Sequence, residues 1–191
     1  MTASSAATTI LQGQTLAFKA DPFVVGPDAA VAFESDGAVA IANGKIVEVG
    51  PASQIIARHP GAVVERYAGD LIMAGFVDCH VHYPQIDIIA SYGEQLLEWL
   101  EKYTFPAEAR FIDPAHAQAA SHRFLDECLR NGITTSSVYC TVHPSSVDAF
   151  FTVAQARKFA MAAGKVMMDR NAPSDLSDTA ETGYADSKAL I

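Results

Sequence analysis

"AGFVDCHVHYPQ", residues 74–85, places two histidines two apart at the end of an apolar run. Side chains alternate along a β-strand, so the spacing predicts Asp78, His80 and His82 on one face and Val77, Cys79 and Val81 on the other. A strand with one polar and one apolar face suits a closed barrel. Its apolar face packs under helices and its polar face points inward near the C-terminal mouth, where barrel enzymes hold their active sites. Two imidazoles at i and i+2 can reach a common metal. Neutral imidazole suits zinc, and a catalytic zinc keeps one position open for a water whose pKa it lowers to about 7. The alternative is two ordinary strand histidines; the separated faces, and the Tyr83-Pro84 that ends the strand, favour the metal. Two histidines do not complete such a site, which needs at least one further protein ligand and a general acid/base.

Beyond about Leu71 the pattern alternates strands with helices, as in a parallel sheet with crossover connections. "GEQLLEWLEKY" sets Leu96, Leu97, Leu100 and Tyr103 at the spacing of one helical face, so this stripe and Trp99 are expected in the core. In "DPAHAQAASHRFLDECLRNG", Asp113 is a cap, Pro114 opens the helix, Ala117, Ala120, Phe124 and Cys128 form its stripe, and Asn131-Gly132 stops it. "ITTSSVYC", residues 133–140, reads as a buried strand. The next helix is expected to run from a Ser145 cap to Gly164, "KVMMD" (165–169) to be the following strand, and "RNAPSDLSDTAETG" to be a loop. A (β/α)8 barrel takes roughly 250 residues, about 31 per βα unit. The 121 residues from Leu71 to Ile191 therefore correspond to about the first three βα units, and the chain is expected to stop inside a barrel.

Upstream, residues 15–70 read as a small β unit and residues 1–14 as a disordered tip. Asn43-Gly44, the preferred pair of a type I′ turn, lies between Ala38–Ile41 and Ile46–Val49, and Asp36-Gly37 suggests another turn just before. A short helix is expected at Ala52–Ala57 and a strand at Val63–Tyr67.

Composition narrows the function. Hydrophobic residues make up 50% of the chain and charged residues 18%, which is the balance of a globular protein. A formal net charge of -9 argues against a surface that tracks phosphates, so a nucleic acid polymer is not an expected partner. Cys79, Cys128 and Cys140 have no CxxC spacing and fit a reduced, cytoplasmic setting. No apolar run approaches the ~18 residues of a membrane span, and no membrane partner is expected. The HxE and PCxxC pattern of zinc base deaminases, GxGxxG, the Walker loop and GxSxG are all absent. His143 and Asp169 fall at strand ends and are weaker ligand candidates. Lys165 is expected to be solvated at the start of its strand, and His59, His116 and His122 read as surface residues.

"GFVDCHVH" resembles the opening barrel strand of the amidohydrolase superfamily, a group of metal-dependent hydrolases. "HYPQIDIIASYGEQLLEWLEKYTFPAEARFID" (82–113) and "GKVMMDRNAP" are similar, more specifically, to the guanine deaminase family, and the likeness extends over residues 10–191. The resemblance implies that His80 and His82 are ligands of one Zn2+ and that His82, Tyr83, Pro84 and Gln85 line a purine-base pocket, with the Gln85 amide meeting guanine. It implies hydrolytic deamination of guanine to xanthine and ammonia, in purine catabolism, by a homodimer. The family's catalytic glutamate and remaining metal ligands would fall beyond Ile191, so no general acid/base is expected within these residues. As a whole molecule they are expected to bind zinc weakly and not to turn over guanine. An amidohydrolase acting on another nitrogen heterocycle, such as a chlorohydrolase, and an inactive fragment are the alternatives.

Overall fold

A computed structural model describes residues 8–191, which cluster into two compact units meeting between Ala74 and Gly75. The first is one mixed sheet ordered β3-β2-β1-β4, from β1 (Thr9–Phe18), β2 (Val31–Ala42), β3 (Lys45–Pro51) and β4 (Val63–Met73). β1 runs antiparallel to β2 and parallel to β4. Two one-turn helices, α1 (Pro22–Val25) and α2 (Pro27–Ala30), join β1 to β2, and α3 (Ala52–Arg58) packs Ile55 onto Ile10, Ala38 and Ala40.

The β2–β3 hairpin turns on Asn43 (φ 54°) and Gly44 (φ 72°), the paired positive φ angles that Asn-Gly favours. Asp36-Gly37 makes no turn and lies inside β2. Gly37 pairs with Gly13 of β1, and a Cβ there would lie 2.2 Å from Thr15 Oγ1, so a side-chain-free residue lets the strands close at this point. β1 begins at Thr9, inside the stretch expected to be disordered; the part of that expectation covering residues 1–7 lies outside the described residues.

The second unit carries a parallel sheet ordered β5-β6-β7, from β5 (Phe76–His82), β6 (Ile133–Tyr139) and β7 (Ala160–Gly164). α6 (Pro114–Arg130) follows the predicted signals closely. Asp113 accepts from the Ala115 amide, Pro114 is the first helical residue, and Gly132 (φ 72°) follows the end. With α7 (Pro144–Ala156) it builds a core of Tyr83, Phe111, Phe124, Leu125, Phe150 and Val153.

Three expectations for this unit are corrected. α7 ends at Ala156, not near Gly164. Lys158 adopts φ 60°, its amide donates to the Gln155 carbonyl at 3.0 Å, and the Phe159 amide reaches the Ala154 carbonyl at 2.9 Å. This is the Schellman closure usually made with glycine, here with a lysine in the left-handed position. The strand that follows is therefore Ala160–Gly164, and Lys165–Asp169 lie beyond it.

The predicted core stripe of Leu96, Leu97, Leu100 and Tyr103 is also displaced: Leu96 and Leu97 are 69% and 73% exposed. α4 (Leu96–Trp99), a π turn (Leu100–Thr104) and α5 (Phe105–Ala109) run on as one helix, in which the Phe105 amide donates to the Leu100 carbonyl. Pro106 has no amide hydrogen, and its ring crowds the carbonyl four residues back. The wider turn just before it absorbs that conflict and changes the phase of the helix. The residues that become buried are Thr104, Ala107, Glu108 and Phe111, again at i, i+3, i+4 and i+7.

Lys165, expected to be solvated, is buried at the C-terminal end of β7 and donates to Asp178 at 2.7 Å; the two side chains are 1% and 9% exposed. The pair ties the strand end to the segment ahead of α8 (Ala180–Ala189). Removing one partner of a buried pair strands a charge, whereas removing both need cost little. Asp178→Ala is expected to lower stability by about 3 kcal/mol, with the double variant Lys165→Met/Asp178→Leu recovering most of the loss in urea denaturation.

Candidate active site

The two histidines owe their direction to an irregularity in β5. Asp78 pairs with Ser136 and Val81 with Val138, so three steps on β5 span two steps on β6. Ser136 and Val138 are both buried and lie two apart on one face of β6. The extra residue in β5 therefore puts Asp78 on the same side as Val81 and turns His80 and His82 to the other. Asp78 thus does not share the histidines' face, as simple alternation predicts, and Val77 and Cys79 do not share that of Val81. Val77 is 62% exposed, and Val81 alone of the predicted apolar face packs against the core. The Asp78 carboxylate accepts the His80 amide at 3.0 Å, satisfying a donor that the bulge releases from the ladder.

The imidazoles come together with their ring centroids 5.3 Å apart. Tyr139, which pairs with His82 across the sheet, covers both: it lies 4.7 Å from His80 and stacks on His82 at 4.8 Å with 15° between the planes. Burial lowers the pKa of His82 and the neighbouring His80 adds to the effect, which favours a neutral ring. His82 Nδ1 is buried and has no hydrogen-bond partner among the described residues. An unpartnered nitrogen on a ring held neutral, beside a second imidazole, fits a nitrogen-preferring metal. Among the described residues no group of three or more His, Cys, Asp or Glu side chains could hold a metal ion.

β5 is an edge strand, and a cleft of about 500 Å3 runs along it, lined by His80, His82, Gln85, Trp99 and Phe124 among others. Of the predicted pocket residues, His82 and Gln85 face this cleft. Tyr83 and Pro84 are fully buried beneath it. Tyr83 donates to the Ser146 carbonyl at 2.6 Å and meets Phe111 edge-on at 5.2 Å, anchoring the 3-10 turn Tyr83–Ile88 that carries Gln85. The outer end of that turn is held by Asp87, which accepts twice from Arg123 at 2.8 and 2.9 Å.

Gln85 Nε2 donates to Glu108 Oε1 at 3.4 Å. Burial raises the Glu108 pKa above the usual carboxylate range, and the Gln85 hydrogen bond partly offsets this. Neither Glu108 nor Tyr139 stood out in the sequence. Tyr139 is within reach, since it ends a strand beside the histidine strand, whereas Glu108 gives no signal because a glutamate on a helix is ordinarily solvated.

The weaker candidates stand apart from the cleft lining. His143 is half-buried at the end of β6 with its Nε2 unpartnered among the described residues, and burial lowers its pKa. Asp169 is exposed beyond β7, beside Arg170 at 3.5 Å. His116 is half-buried edge-on to Phe111 at 4.8 Å, and His59 pairs with Glu48 at 3.0 Å. All three cysteines are free, and burial pushes the Cys140 thiol up to about 12. Among the described residues, no helix is long and apolar enough to cross a membrane.

Residues 71–190 match the Amidohydrolase family, and residues 37–62 match the Imidazolonepropionase-like composite domain, bacteria. Guanine deaminase from Escherichia coli (strain K12) is 50% identical over 163 residues, covering 85% of this chain and 37% of that protein. The crystal structure of guanine deaminase from Bradyrhizobium japonicum superposes with a TM-score of 0.90 at 37% identity, covering 97% of this chain and 40% of the other. Guanine deaminase from C. acetobutylicum, solved with guanine bound in its active site, gives a TM-score of 0.79 at 25% identity, covering 96% and 42%. The chain spans about two fifths of the length of these relatives.

The raised Glu108 pKa sets a pH dependence. A carboxyl that titrates higher in the folded chain contributes stability in full below its ordinary value of 4.5, and that contribution is lost as pH climbs through the raised value. Glu108→Gln has no such loss, so its urea midpoint is expected to gain on that of the parent as the pH rises above 4.5. A constant difference across that range would place the titration elsewhere.

Proposed function

Because this chain belongs to the amidohydrolase family, we propose that the protein carrying it hydrolyses guanine to xanthine and ammonia with the help of zinc. The observation that carries the reading is the convergence of His80, His82 and Gln85 on one cleft, with the two imidazoles 5.3 Å apart at their centroids. The identity to guanine deaminases over most of the chain supports the choice of substrate. In this reading His80 and His82 hold the metal, which supplies Lewis acidity and lowers the pKa of a water. His82 and Gln85 face the base, while Tyr83 and Pro84 form the floor behind them. Gln85, a neutral amide that both donates and accepts, matches a purine edge offering both kinds of group.

The parallel β5-β6-β7 sheet then represents the first three βα units of a (β/α)8 barrel within a 71–191 portion, and residues 15–70 are the N-terminal share of a β-sandwich. The net charge of -9 and the uncharged substrate agree with a cytoplasmic enzyme of purine catabolism that does not bind nucleic acid polymers. Assembly as a homodimer belongs to the same reading.

The test is an assay of ammonia release on the zinc-loaded protein with guanine, adenine, cytosine and triazines, together with metal analysis. Turnover of guanine above the other rings is expected. His80→Ala and His82→Ala are each expected to lower bound zinc and to cut activity by about a hundredfold or more. Turnover of a different ring with none on guanine would overturn the substrate assignment, and full zinc in both variants would overturn the metal assignment.

A further inference from the structure

A glutamine amide is nearly symmetric in shape, so packing alone does not decide which end faces a ligand; the hydrogen-bond partner behind it does. Behind Gln85 that partner is Glu108, whose Oε1 accepts from Gln85 Nε2 at 3.4 Å. Glu108 is 5% exposed and lies outside the cleft lining, so it meets any ligand only through Gln85. Its position is also specified by the backbone. Past the π turn Leu100–Thr104, the helix buries it on one face with Thr104, Ala107 and Phe111.

We propose that Glu108 is a positioning residue that sets specificity by fixing the direction of the Gln85 amide, with NH2 turned to the interior and Oε1 left toward the cleft. The inference rests on the reading of Gln85 as the base-contacting residue. The ligand class it selects is a planar heterocycle whose edge presents an N–H to the amide oxygen. Exchanging the carboxylate for an amide of the same shape preserves the packing and lets Gln85 sit either way round.

The test is a set of variants in the zinc-loaded protein carrying this chain: Gln85→Ala, Glu108→Gln, both together, and the swap Gln85→Glu/Glu108→Gln. Glu108→Gln alone is expected to raise KM for guanine about fivefold while kcat stays within about twofold. In the Gln85→Ala background the same change is expected to add less than about twofold, which a purely structural role would not produce. The swap restores the inner hydrogen bond in the opposite sense and again leaves an oxygen acceptor facing the cleft, so it is expected to bring KM at least partly back from the Glu108→Gln value. A Glu108→Gln protein with unchanged KM while Gln85→Ala is impaired would overturn this proposal alone, as would equal effects in both backgrounds or a swap with KM no lower than that of Glu108→Gln. An unchanged KM in Gln85→Ala would instead overturn the base-contacting reading, and this proposal with it.

Discussion

The extra residue in β5 between Asp78 and Val81 sets the arrangement of everything at the C-terminal end of the parallel sheet. Without it, strict alternation would put the Asp78 side chain on the same face of the strand as His80 and His82. With it, Asp78 turns to the side of Val81 and uses its charge on a local backbone amide, 3.0 Å away. The histidines are left facing Tyr139, whose ring stacks on His82 at 4.8 Å. A bulge costs a regular ladder position and repays it by re-aiming a side chain, which is why such irregularities collect beside functional sites.

The same register delivers the chain into the Tyr83–Ile88 turn, which three different elements hold in place. Tyr83 is fastened to α7 through the Ser146 carbonyl, Asp87 to α6 through Arg123, and Gln85 to α5 through Glu108. The Asp87 pair is partly exposed and its energetic worth is modest. The Tyr83 anchor is different: its hydroxyl is buried, where a hydrogen bond is not exchanged for one to water.

Where local chemistry and tertiary structure agree, the sequence was readable. Asn43-Gly44 dictates its turn by φ alone, Asp113 and Pro114 start α6 by capping and ring geometry, and the His80 and His82 rings lie 5.3 Å apart at their centroids in spite of the bulge. The misreadings share a cause, which is that a familiar residue was not the one used. Lys158 closes α7 where a glycine was sought, so the strand was assigned to "KVMMD" and not to the small-residue run "AMAAG", which lacks the β-branched signature of a strand. Pro106 is preceded by a π turn that shifts the phase of its helix, so Leu96 and Leu97, ahead of the turn, fall on the outside. Asp36-Gly37 resembles a turn but lies opposite Gly13, where the strand needs closeness and not reversal.

The residues proposed as ligands are legible in the sequence and their supports are not, and the reason is physical. Metal ligands and a base-reading amide declare themselves by residue type, because few side chains can do that chemistry. Supports such as Tyr139 and Glu108 are ordinary residues whose role lies only in where the fold holds them. Their contribution is to have ordering completed before a ligand arrives, since an amide and two imidazoles already fixed in direction lose little freedom on binding. The burial that raises the Glu108 pKa and lowers that of His82 comes from the same packing. Rigidity and electrostatic tuning at this cleft therefore come from the same packing: the register of β5 on β6, and the buried Glu108 that α5 holds behind Gln85.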